Sequence, residues 1–468
     1  MASSDNPLLG LNPEKGTVAA SAPRKAIATT PEREGMLALA RSRFLTSSNS
    51  GARLRERMLD DQRFRDADQW PTNIRADRDG DQRPCLTINR LPVFIRQVTN
   101  QQRQSKPSIQ INPVDSGSDP ETAEVIQGII RHIEAQSNAD VAYDTACDHQ
   151  VTMGRGYVRI MIEWSELSPW EQEIRIRRIR NPFSVYFDPA CHEVDYSDAR
   201  YAFIVDDVPR DEFIAQYGAE AASGSMRFQS TGDRGGDWYP EGKVRIAEYF
   251  YVEITNKKVS LLSNGEQMDT ATLSDPDVKD FLETTGVTVV RSRTIPERKV
   301  KWAKITGSTV LEEQDWPGRW IPIVPVLGDE IDLNGEVDLK GMVRDAKDPQ
   351  RMYNYWVSAE TEMIALAPRA PFIGYEGQFE GHEVKWKQAN RKNYPYLETK
   401  PMTLGGQPVG LPQRNAIEPP IGALVAATRQ SDADLKAVTG LYDASLGERG
   451  PEQSGRAIMA RQRQGDIG

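Results

Sequence analysis

Between Asn89 and Pro113 the chain reads NRLPVFIRQVTNQQRQSKPSIQINP. Its apolar positions Leu91, Phe94, Ile95 and Val98 fall at i, i+3, i+4 and i+7, which predicts one buried stripe on an amphipathic helix. Asn89 is placed to cap it, because its side-chain oxygen can accept a free first-turn N–H. Pro92 sits in the first turn, where a missing N–H does no harm. Pro107 disfavours helix at Lys106, so the helix is expected to fray there. Ile109 and Ile111 then alternate as a short strand. The other face of the helix carries Arg96, Gln97, Asn100, Gln101 and Arg103. It reads either as a solvated surface or as a polar interface with a neighbouring subunit or a phosphate backbone.

The same reading extends along the chain. Residues 1–49 are expected to form a mobile N-terminal tail, non-periodic to about residue 34 and helical in pieces from there to 66, with a break at SSNSG (47–51). RADRDGDQRP (75–84) reads as a loop. Asp119-Pro120 opens a helix whose Ile126, Ile129, Ile130 and Ile133 predict a buried stripe. A second helix runs from about Asp140 to Met153, ended by Gly154 and Gly156. YVRIMIEW (157–164) and EIRIRRIR (173–180) alternate as paired antiparallel strands, and NPFSVYFDP closes this β region. YAFIVDDVP (201–209) is a strand, RDEFIAQY a short helix stopped by Gly218, and residues 224–243 a long loop. KVRIAEYFYVEI (243–254) is a strand and SDPDVKDFLETTG (274–286) a short helix. Residues 287–330 predict strand–turn–strand, limited by Pro296 and Pro322. From Asp348-Pro349 a helix runs to about Ala367, with Met352, Trp356, Ala359 and Met363 as a near-heptad apolar seam. The Pro-, Gly- and Lys-rich segment 380–420 is too long for an ordinary connection, so it is functional or disordered. A helix from Ile421 to Val438 stops at Gly440. A further helical pattern from Gln453 is cut at Gly468, and the natural chain is expected to continue.

Composition narrows the class. The 468 residues suffice for two to four domains or one elongated subunit, and 38% apolar with 27% charged is lean for a single compact core. A formal charge of −10 excludes a bulk nucleic-acid condenser. An acidic surface would instead let a duplex slide. Cys85, Cys147 and Cys191 make no disulfide framework, the N-terminus lacks a signal peptide pattern, and no apolar run approaches the ~20 residues of a membrane span. A soluble protein made in a cytoplasm is expected.

Candidate chemistry is sparse. There is no GxxxxGK[ST] phosphate loop and no GxSxG. Cys147 with His149, and Cys191 with His192, match no standard zinc spacing, and His132 and His382 stand apart. Asp206-Asp207 and the acidic positions in 60–68 could feed a two-metal nuclease but read better as solvated carboxylates. No cofactor or metal is expected. Arg175, Arg177, Arg178 and Arg180 crowd one β segment. Arg291, Arg293, Arg298, Lys299, Lys301 and Lys304 crowd another, either as an edge-protecting charged face or as a docking surface for an acidic protein or DNA. Lys385, Lys387, Arg391 and Lys392 lie beside Trp386, Tyr394 and Tyr396, the composition of a nucleic-acid contact or of a solvated loop.

Several motifs occur in an order that resembles the phage portal (head–tail connector) proteins of short-tailed phages. They are Gln69-Trp70-Pro71, the run Arg83-Pro84-Cys85-Leu86-Thr87-Ile88-Asn89, and Gln97 to Pro113, with Ile111 where the family pattern has Val. MGRGYVRI (153–160), NPFSVYFDP (181–189), WIPIVPVLG (320–328), DPQRMYNYWVSAETEMIA (348–365) and VTGLYDASLGERGPEQSGRAI (438–458) extend the resemblance over about residues 50–468. No single motif is catalytic; their shared order is the signal.

The resemblance implies a non-enzymatic α+β subunit with a mixed α/β wing, a helical stem and a β-containing clip. It forms a ring, with twelve copies expected, at one capsid vertex, through which double-stranded DNA is packaged and ejected. Its implied partners are copies of itself, DNA, the terminase large subunit, a tail adaptor, and the major capsid and scaffolding proteins, with no membrane. Its implied place is the virion, after assembly in a bacterial host cytoplasm. By position, residues 50–270 are expected as wing and 271–348 as stem and clip region. Residues 349–379 follow as a stem or channel helix, 380–420 as a tunnel-loop region, and 421–468 as helices leading to a largely absent crown. Lys385, Lys387, Arg391 and Lys392 become channel candidates. Arg291, Arg293, Arg298, Lys299 and Lys301 become clip candidates for terminase or adaptor docking. Arg96, Gln97, Asn100, Gln101 and Arg103 become subunit-interface candidates. The competing classes are a metal-dependent nuclease or other packaging enzyme, and a different head-completion protein.

Overall fold

The computed structural model describes residues 30–105, 109–113, 119–165, 170–218, 243–270, 272–366, 372–389, 392, 394–414 and 421–441. The chain begins with α1 (Pro31–Ser50), α2 (Ala52–Arg65), α3 (Thr72–Gly80), α4 (Leu91–Ser105), α5 (Pro120–Ser137) and α6 (Ala139–Met153). Then follow β1 (Arg155–Trp164), β2 (Gln172–Arg178), β3 (Val185–Phe187), β4 (Tyr201–Pro209), α7 (Arg210–Tyr217), β5 (Lys243–Leu262), β6 (Gln267–Asp269) and α8 (Pro276–Thr285). After these come β7 (Val289–Ile305), β8 (Val310–Trp316), β9 (Ile323–Leu327), β10 (Asp329–Leu333), β11 (Glu336–Lys340) and α9 (Met342–Leu366). The last are β12 (Phe372–Ile373), α10 (Glu383–Gln388), β13 (Thr403–Leu404), β14 (Gln407–Pro408), β15 (Gln413–Arg414) and α11 (Ile421–Thr439). Two compact units result, Met1–Ala52 with Asn181–Val324, and Arg53–Arg180 with Pro325–Gly468.

The first unit is built on an antiparallel sheet in the order β3-β4-β5-β7-β8, with β6 added to β5. Alternation gives it two apolar faces. Tyr201, Phe203, Ala247, Tyr249, Tyr251, Ala303 and Ile305 form one, covered by Leu37, Ala40 and Phe44 of α1. Phe203 and Tyr249 stack with ring centres 4.6 Å apart, and Arg43 donates to the Tyr249 hydroxyl at 2.6 Å. Residues 31–49 are therefore packed helix, not tail, capped by Thr30, whose side chain accepts from the Arg33 N–H. On the other face Phe213 and Tyr217 of α7 cover Val244, Ile246 and Leu311. The predicted loop 224–243 lies outside the described residues except for its last position.

β7 runs straight through Pro296, which pairs with Asn256, although Pro296 was expected to limit the sheet. β8 pairs with β7 only from Val300 to Ile305, so Pro296 lies on an edge, where its missing N–H breaks no ladder.

In the second unit α6 packs on the β1–β2 hairpin through Ala142, Ala146, Val158 and Ile176, and Val326 of β9 joins the same core. Val158, Ile160 and Ile162 oppose Arg178, Ile176 and Ile174, the expected antiparallel register. Gly154 ends α6 with φ 87°, and a Cβ there would lie 2.6 Å from the Lys340 carbonyl carbon. At Gly156 a Cβ would overlap the backbone of Ala146. Gly156→Ala is expected to lower Tm by at least about 5 °C, since neither backbone can yield cheaply. Calorimetry showing an unchanged Tm would contradict this close packing.

A second core joins Phe64 of α2, Leu91, Phe94 and Ile95 of α4, Val343 and Ala346 of α9, and Leu435 of α11. The α4 stripe is thus buried as its spacing predicts. Ile109 and Ile111 pair with no strand among the described residues, and Ile109 is exposed. Of the loop expected over 75–84, residues 75–80 belong to α3, because buried Arg78 anchors them, donating to the Pro84 carbonyl at 2.9 Å. α5 starts at Pro120 with Asp119 accepting from the Glu121 N–H, as expected. Its stripe is not buried: Ile126 and Ile129 are exposed, as is neighbouring Val125, Ile130 and Ile133 are half-buried, and only Ala123 and Ser137 are buried.

Candidate functional site

The motif residues 83–90 have no regular structure of their own, and α9 supplies their hydrogen bonds. The N–H groups of Leu86, Ile88 and Arg90 donate to Ser358 Oγ (3.0 Å), Asn354 Oδ1 (3.0 Å) and Gln350 Oε1 (3.2 Å). The acceptors recur every four helix residues, about 6 Å of rise, and the donors every two residues, about 6.6 Å of extended chain. The two repeats match, so one face of a helix stands in for a neighbouring strand. Gln350 also donates to the Ile88 carbonyl at 2.8 Å. Glu362 continues the row, accepting from Arg83 at 2.9 Å and from Arg78 at 3.3 Å. Buried Gln69 closes the seam, accepting from Asn354 at 2.6 Å and donating to Asn89 at 2.9 Å.

This corrects the expected seam of α9. Met352 and Met363 are exposed, while Gln350, Asn354 and Ser358 are fully buried. The helix also begins at Met342 rather than at Asp348-Pro349, because Val343 and Ala346 enter the core, and Pro349 lies inside it. The signal that could have located the seam was the polar row at i, i+4, i+8 and i+12.

From this seam Arg90 reaches α11. Its guanidinium pairs with Asp432 and lies 4.9 Å from the Tyr353 ring centre. Beneath it, fully buried Asp61 of α2 accepts from Arg344 at 2.8 Å, and Lys347 Nζ lies 2.6 Å from its other oxygen. Arg344 also donates to Asp338 at 3.0 Å, which accepts from Arg57 at 2.6 Å. α2, β11 and the start of α9 are thereby tied by charge.

Each basic cluster has a definite setting. On α4, Arg96, Asn100 and Gln101 are exposed and Gln97 is half-buried, while Arg103 pairs with Asp144 of α6 at 2.8 Å. On β7, Lys301 pairs with Glu253 at 3.0 Å and Lys299 with Glu297 at 3.7 Å. Arg298 donates to the carbonyls of Ser197 and Ala199, both at 2.8 Å, and faces the Trp320 ring. Arg291 and Arg293 are exposed on the part of β7 that, among the described residues, only β5 borders, the position of an edge-guarding charge. Arg175 and Arg177 pair with Glu173 and Glu163.

In the segment 372–414, Trp386 packs edge-on against Phe372 and Phe379, so part of the expected tunnel-loop region is folded. Lys385 pairs with Glu398 at 3.1 Å and faces the Tyr396 ring. Lys387 and Lys392 are exposed, and Arg391 lies outside the described residues.

Among the described residues no group of three His, Cys, Asp or Glu side chains could hold a metal ion, and no helix is long and apolar enough to cross a membrane. Burial pushes the Cys147 thiol up, with Asp144 and Asp148 adding to it, so the thiolate is disfavoured. Burial also holds the His149 imidazole below its ordinary 6.5, against the pull of Asp148, and its Nδ1 has no hydrogen-bond partner among the described residues. The unfolded chain therefore takes up this proton first, and stability falls as pH drops below 6.5. His149→Gln is expected to lose less stability than the parent between about pH 7 and about pH 5.5. Equal losses in urea titrations at the two pH values would contradict a buried neutral imidazole.

Comparison with known proteins follows the same lines. The family model described as phage P22-like portal protein matches residues 41–468. A portal protein of Acyrthosiphon pisum secondary endosymbiont phage 1 is 26% identical over 373 residues, 76% of this chain and 51% of that protein. The chain thus spans about half the length of that curated relative.

Proposed function

The chain belongs to the phage P22-like portal protein family, and from that premise we propose that it is the ring-forming subunit of a capsid vertex through which double-stranded DNA enters and leaves the head. The role is structural rather than catalytic. The family match over residues 41–468 carries this reading. Exposed Val125, Ile126 and Ile129 on a helix with two buried residues support it, because a subunit that buries surface in an assembly carries such uncovered area.

The ring has about twelve copies, as the resemblance implies. Its wing is drawn from residues 50–270, with 271–348 as stem and clip region. The buried seam and Arg90 join α9 to α11, which suits a stem or channel role for 349–379 and for the helices after 421. In this reading Lys385, Lys387, Arg391 and Lys392 meet the DNA, and the exposure of Lys387 and Lys392 supports it. The β7 cluster of Arg291, Arg293, Arg298, Lys299 and Lys301 faces the terminase large subunit during packaging and the tail adaptor afterwards. Major capsid and scaffolding proteins are its further partners.

The α4 face of Arg96, Gln97, Asn100, Gln101 and Arg103 meets the neighbouring subunit, where amide and guanidinium groups set register without making the free chain insoluble. Negative-stain images of the purified protein are expected to show rings with a central hole; uniformly compact particles would overturn the ring. Joint reversal of Arg96 and Arg103 to glutamate is expected to reduce ring assembly, and intact rings would remove α4 from the interface.

A further inference from the structure

α9 and α11 pack side by side and leave a groove of ≈ 320 Å³ lined by Asp348, Pro349, Met352, Trp356, Gln430 and Asp434, among others. Its floor is apolar and aromatic and its rim carries two carboxylates. That chemistry suits a guanidinium, which can lie over an indole ring while pairing with carboxylates. The chain already uses Arg in this way at Arg90, which lies over Tyr353 and pairs with Asp432, and Arg298 lies over the Trp320 indole while donating to carbonyls. The rim is only lightly engaged. Asp348 is 90% exposed, with Arg351 at 3.5 Å, and Asp434 accepts from Gln430 at 2.8 Å.

A matching cation lies on the same helix. Arg429 of α11 is exposed and makes no ion pair among the described residues. It precedes Asp434 by five residues, or about 140° around a helix of 3.6 residues per turn. It therefore points away from the groove of its own chain, on the opposite flank of the exposed side of α11. One flank offers a cation and the other an anionic aromatic slot. Such a surface is complementary to a second copy placed beside it, in the head-to-tail manner that closes rings.

We propose that the α9–α11 groove receives the Arg429 side chain of a neighbouring copy. This inference rests on the ring reading above and names one of its contacts. Arg429 anchors the contact over Trp356, and Asp348 and Asp434 fix its orientation.

The test is a disulfide ladder. In the double variant Arg429→Cys, Asp434→Cys the two Cα atoms of one chain are about 8.6 Å apart by helix geometry and point apart, so they cannot bond within a chain. Oxidation of the assembled protein is expected to give covalent multimers on non-reducing gels, absent from either single variant. In parallel, Arg429→Glu is expected to weaken assembly about tenfold, the loss of one anchoring residue, and adding Asp434→Arg to restore most of it. Rings whose assembly Arg429→Glu leaves unchanged, or a swap that fails to restore assembly, would overturn the proposed contact and leave the ring reading standing. Failure of the parent protein to form rings at all would overturn both.

Discussion

Asp61→Ala is expected to lower the unfolding free energy by about 3–5 kcal/mol, the usual cost of removing one partner from a buried ion pair. Asp61 is 0% exposed, and Arg344 and Lys347 are held against it with side chains 18% and 12% exposed. Without the carboxylate, two cations face each other in a space that water cannot easily fill. Arg344 keeps Asp338 and Lys347 keeps Asp60, which places the loss toward the lower end of that range. Asp61→Asn keeps the shape and is expected to recover part of it. Urea unfolding of the three proteins measures this directly, and a loss under about 1 kcal/mol for the alanine variant would mean that solvent reaches the site.

Asn354→Leu is expected to cost about 3 kcal/mol or more, because one substitution strands several buried groups at once. The Ile88 N–H loses its acceptor, Gln69 Oε1 loses its donor, and the Gln350 amide loses the bond to Asn354 at 3.1 Å. Ser358→Ala removes only the acceptor of the Leu86 N–H and is expected to cost about 1 kcal/mol. The ratio between the two variants is the informative quantity. Equal small effects in thermal unfolding would mean that residues 83–90 are held by something other than the α9 row.

What could be read from sequence, and what could not, follows from where each element finds its partners. α4, α6, β1, β4 and α7 were visible because local period and caps agree with the faces they bury. The β5–β7 ladder was underestimated because Pro296 is harmless only on an edge, and that edge exists because β8 pairs with β7 no further back than Val300. The seam of α9 was misassigned for a related reason. Gln350, Asn354 and Ser358 look like a solvated face until residues 86–90, over 250 positions away, bring backbone donors to them. The α5 stripe failed in the opposite sense: its period is that of a buried face, yet the single chain leaves Ile126 and Ile129 exposed and Ile130 and Ile133 half-buried. The basic clusters were visible as composition, but their pairing with Glu253, Glu297 and Glu398 depended on strand register and loop closure.

The central claim, that this chain assembles into a channel-forming ring, is tested most directly by native mass spectrometry of the purified protein. The account predicts a dominant species of roughly 630 kDa, twelve times the 52.5 kDa chain, or a neighbouring multiple of it. A population that stops at dimers or tetramers across micromolar concentrations would contradict it.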